Sequence, residues 1–192
     1  MLFRSALHKH AGLDDEAAKL AAGNCDAFAS VPGGLAGLDA IISNAGGCSP
    51  VLKDYGHILE DHNAAGPGKV FGKKVRDIHE FLAELGPVKP RHRVPLKATY
   101  HDACGLAHAQ KIRSAPRQVL AMVDGLTLAP LAENEHCCGA AGSYNITQPE
   151  MSAALGKRKA ANVADTGAVA ALTGNVGCLL QIDRHQIGRA HV

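Results

Sequence analysis

Twice in the sequence a short apolar run ends in a glycine turn that carries a cysteine and then opens a helix. The two stretches are AIISNAGGCSPVL at 40–52 and AALTGNVGCLLQI at 170–182. A chain that repeats this plan is restricted to alternating strands and helices. Each short strand must bury apolar side chains against a helix, and parallel neighbours need a crossover between them. The remaining sequence supplies the other pieces. DDEAAKLAAGNCDAFA (14–29) is Ala-rich with acids in its first turn and predicts a helix. Leu38 to Ser43 predicts a buried strand, Ser49-Pro50 a helix start running through VLKDYGHILEDH, and NAAGPGK a loop. Val75, Ile78, Phe81, Leu82 and Leu85 recur at helical period, which predicts an amphipathic helix over 73–85.

GPVKPRHRVP, with three prolines in ten residues, reads as a linker at 87–95 between two halves, 6–86 and 96–185. Beyond it strands are expected at 96–100, 126–131 and 169–173. Helices are expected at 115–123 and 148–165, with a last short one at LLQI. The expected fold class is α/β, with two repeated modules of short parallel strands and flanking helices, the first incomplete. Ala6-Leu7-His8 stands before the first long helix about where Ala140-Ala141-Gly142 stands before the second. Cys137-Cys138-Gly139 precedes the later point, so a Cys-Cys-Gly is expected before Ala6. Leu2 to Ser5 and Gln186 to Ala190 can be written as the two strands of one sequencing adapter, so 1–5 and 186–192 read as adapter translation around a fragment.

Composition narrows the function. The 192 residues are 46% hydrophobic and 20% charged, with no eighteen-residue apolar run, which predicts a soluble chain without a membrane-spanning helix. A net charge of +2 and 4% aromatics argue against a nucleic-acid partner. Six cysteines without a secretory signal point to a reducing, cytoplasmic setting, where metal binding or catalysis is favoured over a disulfide framework.

Four of those cysteines, Cys104, Cys137, Cys138 and Cys178, follow predicted strands or open predicted helices in the second half. Loops at the carboxyl ends of parallel strands converge on one crevice, so these thiols are candidate metal ligands although they are spread over 75 residues of sequence. Structural zinc sites usually take cysteines in pairs two to four residues apart, and no such pair is present. Adjacent Cys137 and Cys138 suit different irons of a cluster better than one small ion, and nearby glycines allow close backbone approach to inorganic sulfide. Iron–sulfur is favoured over zinc on this reasoning, with zinc left open. Cys48 reads as an orphaned ligand of the incomplete first half, and Cys25 as a buried small hydrophobe. His101 and His136 are candidates for contacts just outside the ligands, Asp102 serves equally as a helix cap, and Lys157, Arg158 and Lys159 read as a solvated helix face. No general base, nucleophile or nucleotide loop stands out, so a substrate site is expected elsewhere than on this chain.

YHDACGLAHAQKIRSAPRQVL, HCCGAAGSYNITQPEM and TGNVGCLLQI together resemble the CCG cysteine-rich domains of the glycolate oxidase iron–sulfur subunit. That family is related to the CCG-containing subunit of heterodisulfide reductase and to lactate-utilisation iron–sulfur proteins. The first half, through ALHKHAGLDDEAAKLA and NAGGCSPVLKDYGHIL, resembles the first of two such domains. The resemblance implies a [4Fe-4S] cluster held by Cys104, Cys137, Cys138 and Cys178, with Cys48 a cofactor ligand of the first domain. It also implies partner subunits that carry flavin and oxidise a 2-hydroxy acid, electrons passing toward quinone, and peripheral association with the inner face of the cytoplasmic membrane. The family's amino-terminal ferredoxin-like region is not in this sequence. The heterodisulfide reductase branch ends its motif with Cys-x-x-Cys, whereas Asn175 and Ala45 stand three residues before Cys178 and Cys48. That departure favours an electron carrier over thiol–disulfide chemistry.

Overall fold

The computed structural model describes residues 4–86 and 89–186, so the sequence readings at 1–3, 87–88 and 187–192 lie outside the described residues. The chain divides into two compact units, one up to Ile78 and one from His79. All paired strands in both are parallel, which makes the architecture α/β.

In the first unit helix α1 (Arg4–His10) leads into α2 (Asp14–Ala29), as expected from the Ala-rich run. Ala17, Ala18, Ala21, Asn24 and Cys25 form the buried stripe of α2, and three acids sit at its amino end, where the helix dipole favours negative charge. After α3 (Gly34–Gly37), strand β1 (Ile41–Ser43) occupies the end of the expected apolar run. Arg4 and Ser5, which the sequence assigns to adapter translation, form the first turn of α1. The Ser5 hydroxyl lies 2.6 Å from that of Tyr55 in the core.

Three expectations here are corrected. The helix expected to follow Ser49-Pro50 splits at Asp54 into two short pieces, α4 (Ser49–Lys53) and α5 (Tyr55–Ile58). The loop expected at NAAGPGK is instead the start of α6 (Ala65–Lys74). Pro67 falls in its first turn, where a missing N–H costs nothing, and the glycines serve close packing. A Cβ on Gly68 would meet the Tyr55 carbonyl at 2.8 Å, and one on Gly72 the Lys53 carbonyl at 2.5 Å. Finally, the single helix expected over 73–85 is interrupted by strand β2 (Val75–Asp77) before α7 (Ile78–Glu84). β2 pairs with β1 in register Ile41↔Val75, and that pairing overrides the local helical period. The core of this unit is aromatic: Phe71 stacks on Tyr55 at 4.8 Å and takes Phe28 edge-on at 5.2 Å.

The second unit is a three-stranded sheet in the order β4-β3-β5. Central β3 (Leu96–His101) is followed by a π-helical turn (Gly105–Ala109) and α8 (Ala115–Ala121). Edge strand β4 (Leu126–Ala129) leads through a long loop to α9 (Tyr144–Thr147) and α10 (Pro149–Asp165). The chain then crosses back over β3 to β5 (Ala170–Thr173) and α11 (Val176–His185). The strand order therefore reverses at β3. With the right-handed connections that parallel strands almost always use, helices leave on opposite faces there and open a crevice beyond the strand ends. α10 and α11 approach closely because Gly156 has no side chain; a Cβ there would collide with the His185 ring.

Candidate metal centre

Each of the four cysteines of the second unit lies beyond the carboxyl end of a strand. Cys104 follows β3 and precedes the π-helical turn, Cys137 and Cys138 lie within the loop after β4, and Cys178 lies in the first turn of α11 after β5. Parallel pairing of β3 with both neighbours brings the three loops to one end of the sheet. The thiols are in side-chain contact in the order Cys104, Cys137, Cys138, Cys178, and His101 adjoins the last. All are free of disulfides; Cys138 and Cys178 are buried, and Cys104 and Cys137 are half-buried.

The contacts split the thiols into two acidic and two reluctant groups. Hydrogen bonds from Cys104 and then Cys138 hold Cys137 down to about 2, from an ordinary 9.0. The Cys138 hydrogen bond, with lesser ones from His101 and Asn175, lowers Cys178 to about 5. Cys104 and Cys138, which share their protons with these thiolates, are pushed well above the ordinary thiol range. Four thiols this close cannot all ionise unless a cation joins them, which is the chemistry of a metal site.

The surroundings suit negative charge. The Gly139 amide donates to Cys137 Sγ at 3.3 Å, and Asn175 Nδ2 donates to Cys178 Sγ at 3.2 Å. Lys159 is expected from the sequence on a solvated helix face, but it is only 2% exposed. Its ammonium donates to the carbonyls of Glu133 and of Asn134, the latter at 3.3 Å, and burial lowers its pKa. Arg158, by contrast, is exposed and pairs with Glu133. His136 is also exposed and, with Cys137, Glu133, Leu155, Arg158 and Lys159, lines a small cavity of about 150 Å³.

The CCG turn is shaped by backbone demands. Gly139 has φ +93°, and a Cβ there would stand 2.5 Å from the Ser152 carbonyl on α10. Ser152 Oγ donates to the Gly139 carbonyl at 2.9 Å, while Gln181 on α11 donates to Ser152. Glu133 and Ala141, which flank the cysteine pair, hold positive φ without being glycine; such strain concentrates at functional sites.

Sequence reasoning missed the polar clamp beneath the site. Arg117 binds Asp102 with two hydrogen bonds of 2.9 and 2.7 Å, and stacks over the Tyr100 ring at 5.3 Å. Asn134 exchanges hydrogen bonds with Asp102, Nδ2 to Oδ2 at 2.7 Å and the Asp102 amide to Oδ1 at 3.0 Å. Asp102 thus holds Arg117 and the β4 loop rather than capping a helix. The only signal in the sequence was the nearness of these residues to cysteines.

His101, Cys138 and Cys178 can hold a metal ion: one ligand atom from each lies within 4.8 Å of the others. Cys104 and Cys137 fall outside that tight group, so the four thiols do not close on a single point. Such a spread donor set fits a cluster of several metal atoms better than one ion. In the first unit Cys48 is half-buried just before α4, and burial raises its pKa. Cys25 is fully buried in α2, and desolvation raises it to about 11, as for an inert packed thiol.

Residues 98–183, which span the sheet and site just described, match the family described as the CCG cysteine-rich domain. Over 92% of its length it is 35% identical to the probable glycolate oxidase iron-sulfur subunit of Bacillus subtilis (strain 168), covering 39% of that protein. It is 30% identical over 90% of its length to the glycolate oxidase iron-sulfur subunit of Escherichia coli (strain K12), covering 42% of it. Lactate utilization protein A of Exiguobacterium sp. (strain ATCC BAA-1283 / AT1b) is 28% identical over 95% of the chain, which covers 71% of that relative. The chain thus spans about two fifths of the glycolate oxidase subunits it matches.

Proposed function

We propose that this chain is part of an iron–sulfur electron-transfer subunit of a flavin-dependent 2-hydroxy-acid oxidase or dehydrogenase of the glycolate type. It would work between a flavin-bearing partner subunit and quinone. The observation that carries the reading is the convergence of four cysteines from three strand ends beside a buried histidine, a larger donor set than the three residues whose ligand atoms lie within 4.8 Å of one another. Cys104, Cys137, Cys138 and Cys178 would hold a [4Fe-4S] cluster, which when bound takes up and releases single electrons. The helix start at Cys178 and the buried Lys159 ammonium favour its anionic charge. Lactate is the alternative substrate class, supported by the likeness to lactate utilization protein A. Among the described residues no helix is long and apolar enough to cross a membrane, and a link to quinone would be peripheral, at the inner face of the cytoplasmic membrane.

The proposal extends to the first unit as an incomplete copy of the second, with 6–86 and 96–185 as the domains and Cys48 as its remaining cofactor ligand. In its support, α2 precedes β1 as α10 precedes β5, and each strand runs through a glycine turn and cysteine into a helix. A thiol–disulfide enzyme is the rival reading. It is disfavoured because Asn175, at the place of that branch's extra cysteine, serves as a hydrogen-bond donor to Cys178.

The test is iron, acid-labile sulfide and zinc per chain after anaerobic reconstitution. About four irons and four sulfides are expected. Cys137→Ser and Cys178→Ser should lose them, and Cys25→Ser should keep them. Equal iron in all three variants, or one zinc without sulfide, overturns the assignment.

A further inference from the structure

Within the site the atom with no role in the four-thiol scheme is Nε2 of His101. The residue is 0% exposed at the end of β3. Its Nδ1 lies 3.0 Å from the Asn134 carbonyl, and a carbonyl can only accept, so Nδ1 carries the proton of that bond. Nε2 is then the ring nitrogen left to serve as a ligand atom. It is buried, and its near neighbours are sulfur, Cys178 among them. Nδ1 being committed to Asn134, Nε2 is the nitrogen left to lie within 4.8 Å of Cys138 and Cys178 Sγ. A nitrogen and two sulfurs placed so close are held together by a cation between them, either a proton shared with Cys178 or a metal ion in its place.

The ring is also held from behind. Asn134, which accepts from Nδ1, is fixed by Asp102, and Asp102 is fixed by two bonds from Arg117. Lys159 donates to the same Asn134 carbonyl. Metal-binding histidines characteristically give the second ring N–H to a carbonyl or carboxylate, which sets the tautomer and the ring orientation. His101 has that arrangement, with three more side chains supporting the carbonyl.

We infer that His101 binds the metal group directly through Nε2, as a nitrogen ligand beside Cys138 and Cys178. The inference rests on the iron–sulfur reading and deepens it: the donor set is four sulfurs and one nitrogen. Replacing thiolate by imidazole removes negative charge from an iron, and histidine-ligated clusters sit at higher potential than all-cysteine ones. His101 therefore poises the site toward accepting electrons.

The test uses the full chain reconstituted with iron and sulfide, with histidine labelled by 15N, and electron–nuclear double resonance in the paramagnetic state. A strong nitrogen coupling that changes with the label is expected in the parent. His101→Asn, whose amide can still donate to Asn134, should keep iron and sulfide but lose the coupling. His101→Cys should lower the midpoint potential. A chain that assembles iron and sulfide yet shows no histidine coupling, or keeps it in His101→Asn, overturns the ligand assignment and leaves the cluster reading standing. A chain that takes up no iron and sulfide overturns the cluster reading and this inference with it.

Discussion

The Cys-Cys-Gly turn makes a sharp prediction at its glycine. In Gly139→Ala the new Cβ would face the Ser152 carbonyl at 2.5 Å, on a backbone held at φ +93°. The left-handed backbone alone costs an L residue about 1–2 kcal/mol, and forcing a methyl into a packed contact costs about 1–3 kcal/mol more. The opposing atom is backbone on α10, already bonded to Gln181, so it cannot swing away. The sum is about 2–5 kcal/mol, a large share of a typical domain's stability of about 5–15 kcal/mol. Gly167→Ala in the same unit is the control, because it shares a positive φ of +60° but meets only the end of the Lys97 side chain, at an ordinary contact distance of 3.5 Å. That change should cost about 1 kcal/mol, partly offset by a stiffer unfolded chain. In urea, with a slope of about 1–3 kcal/mol per molar, the two midpoints should differ by about 1 M. Unfolding of the metal-free chain, followed by circular dichroism, reads the difference. Midpoints that coincide would refute the idea that contact with α10, rather than the dihedral angle, demands glycine here.

The clamp around Asp102 is testable in the same way. Asp102→Ala strands the Arg117 guanidinium and the Asn134 amide; because Arg117 is 40% exposed and can rehydrate, a loss of about 2 kcal/mol is expected, below that of a fully buried pair. An unchanged urea midpoint would count against it. Arg158, then Asn162, lower the Glu133 carboxylate from its ordinary 4.5, so its stabilising contribution is present above that value and fades as pH falls through the lowered one. Amide exchange in the 131–136 loop, corrected for intrinsic rate, should accelerate on acidification in that window and lose this dependence in Glu133→Gln. Asn175→Ala removes the 3.2 Å hydrogen bond to Cys178 and should lower the midpoint potential while iron content holds; an unmoved potential would show that the amide does not tune the site.

The parts legible in the sequence are those whose physics is local. α2 and α10 show their buried stripes as periodic small residues, and the glycine turns after β1 and β5 mark the strand ends. α6 is illegible because Gly68 and Gly72 look like loop residues, and their purpose is visible only when the Tyr55 and Lys53 carbonyls are seen against them. β2 is hidden because Val75 and Asp77 are claimed by pairing with a strand over thirty residues earlier. At the site the thiols announce themselves by type and by position after strands. The residues that orient them do not. Asn134 sits in a polar loop and Arg117 on a helix surface, and nothing local distinguishes either until the β4 loop folds back onto the end of β3. Lys159 escapes notice for the same reason, since two basic neighbours disguise the one that turns inward.

The position of Asn175 ties this geometry to the choice between carrying electrons and cleaving disulfides. A cysteine there would add a fifth thiolate to a site whose buried pair, Cys138 and Cys178, already crowds against His101. Asparagine instead brings a neutral N–H to the Cys178 sulfur and adds no negative charge. Together with the Gly139 amide on Cys137 and the buried Lys159 ammonium, it offsets thiolate charge without opening a coordination position. Hydrogen bonds to ligand sulfur and a lower net charge both raise the potential of an iron–sulfur group. Chemistry on a substrate sulfur needs room and a free position next to the metal; here Cys138 and Cys178 are buried, and Cys137 and Cys178 each accept from an amide N–H. These features are what the proposed electron-carrier reading requires, and they give no support to the disulfide-cleaving alternative.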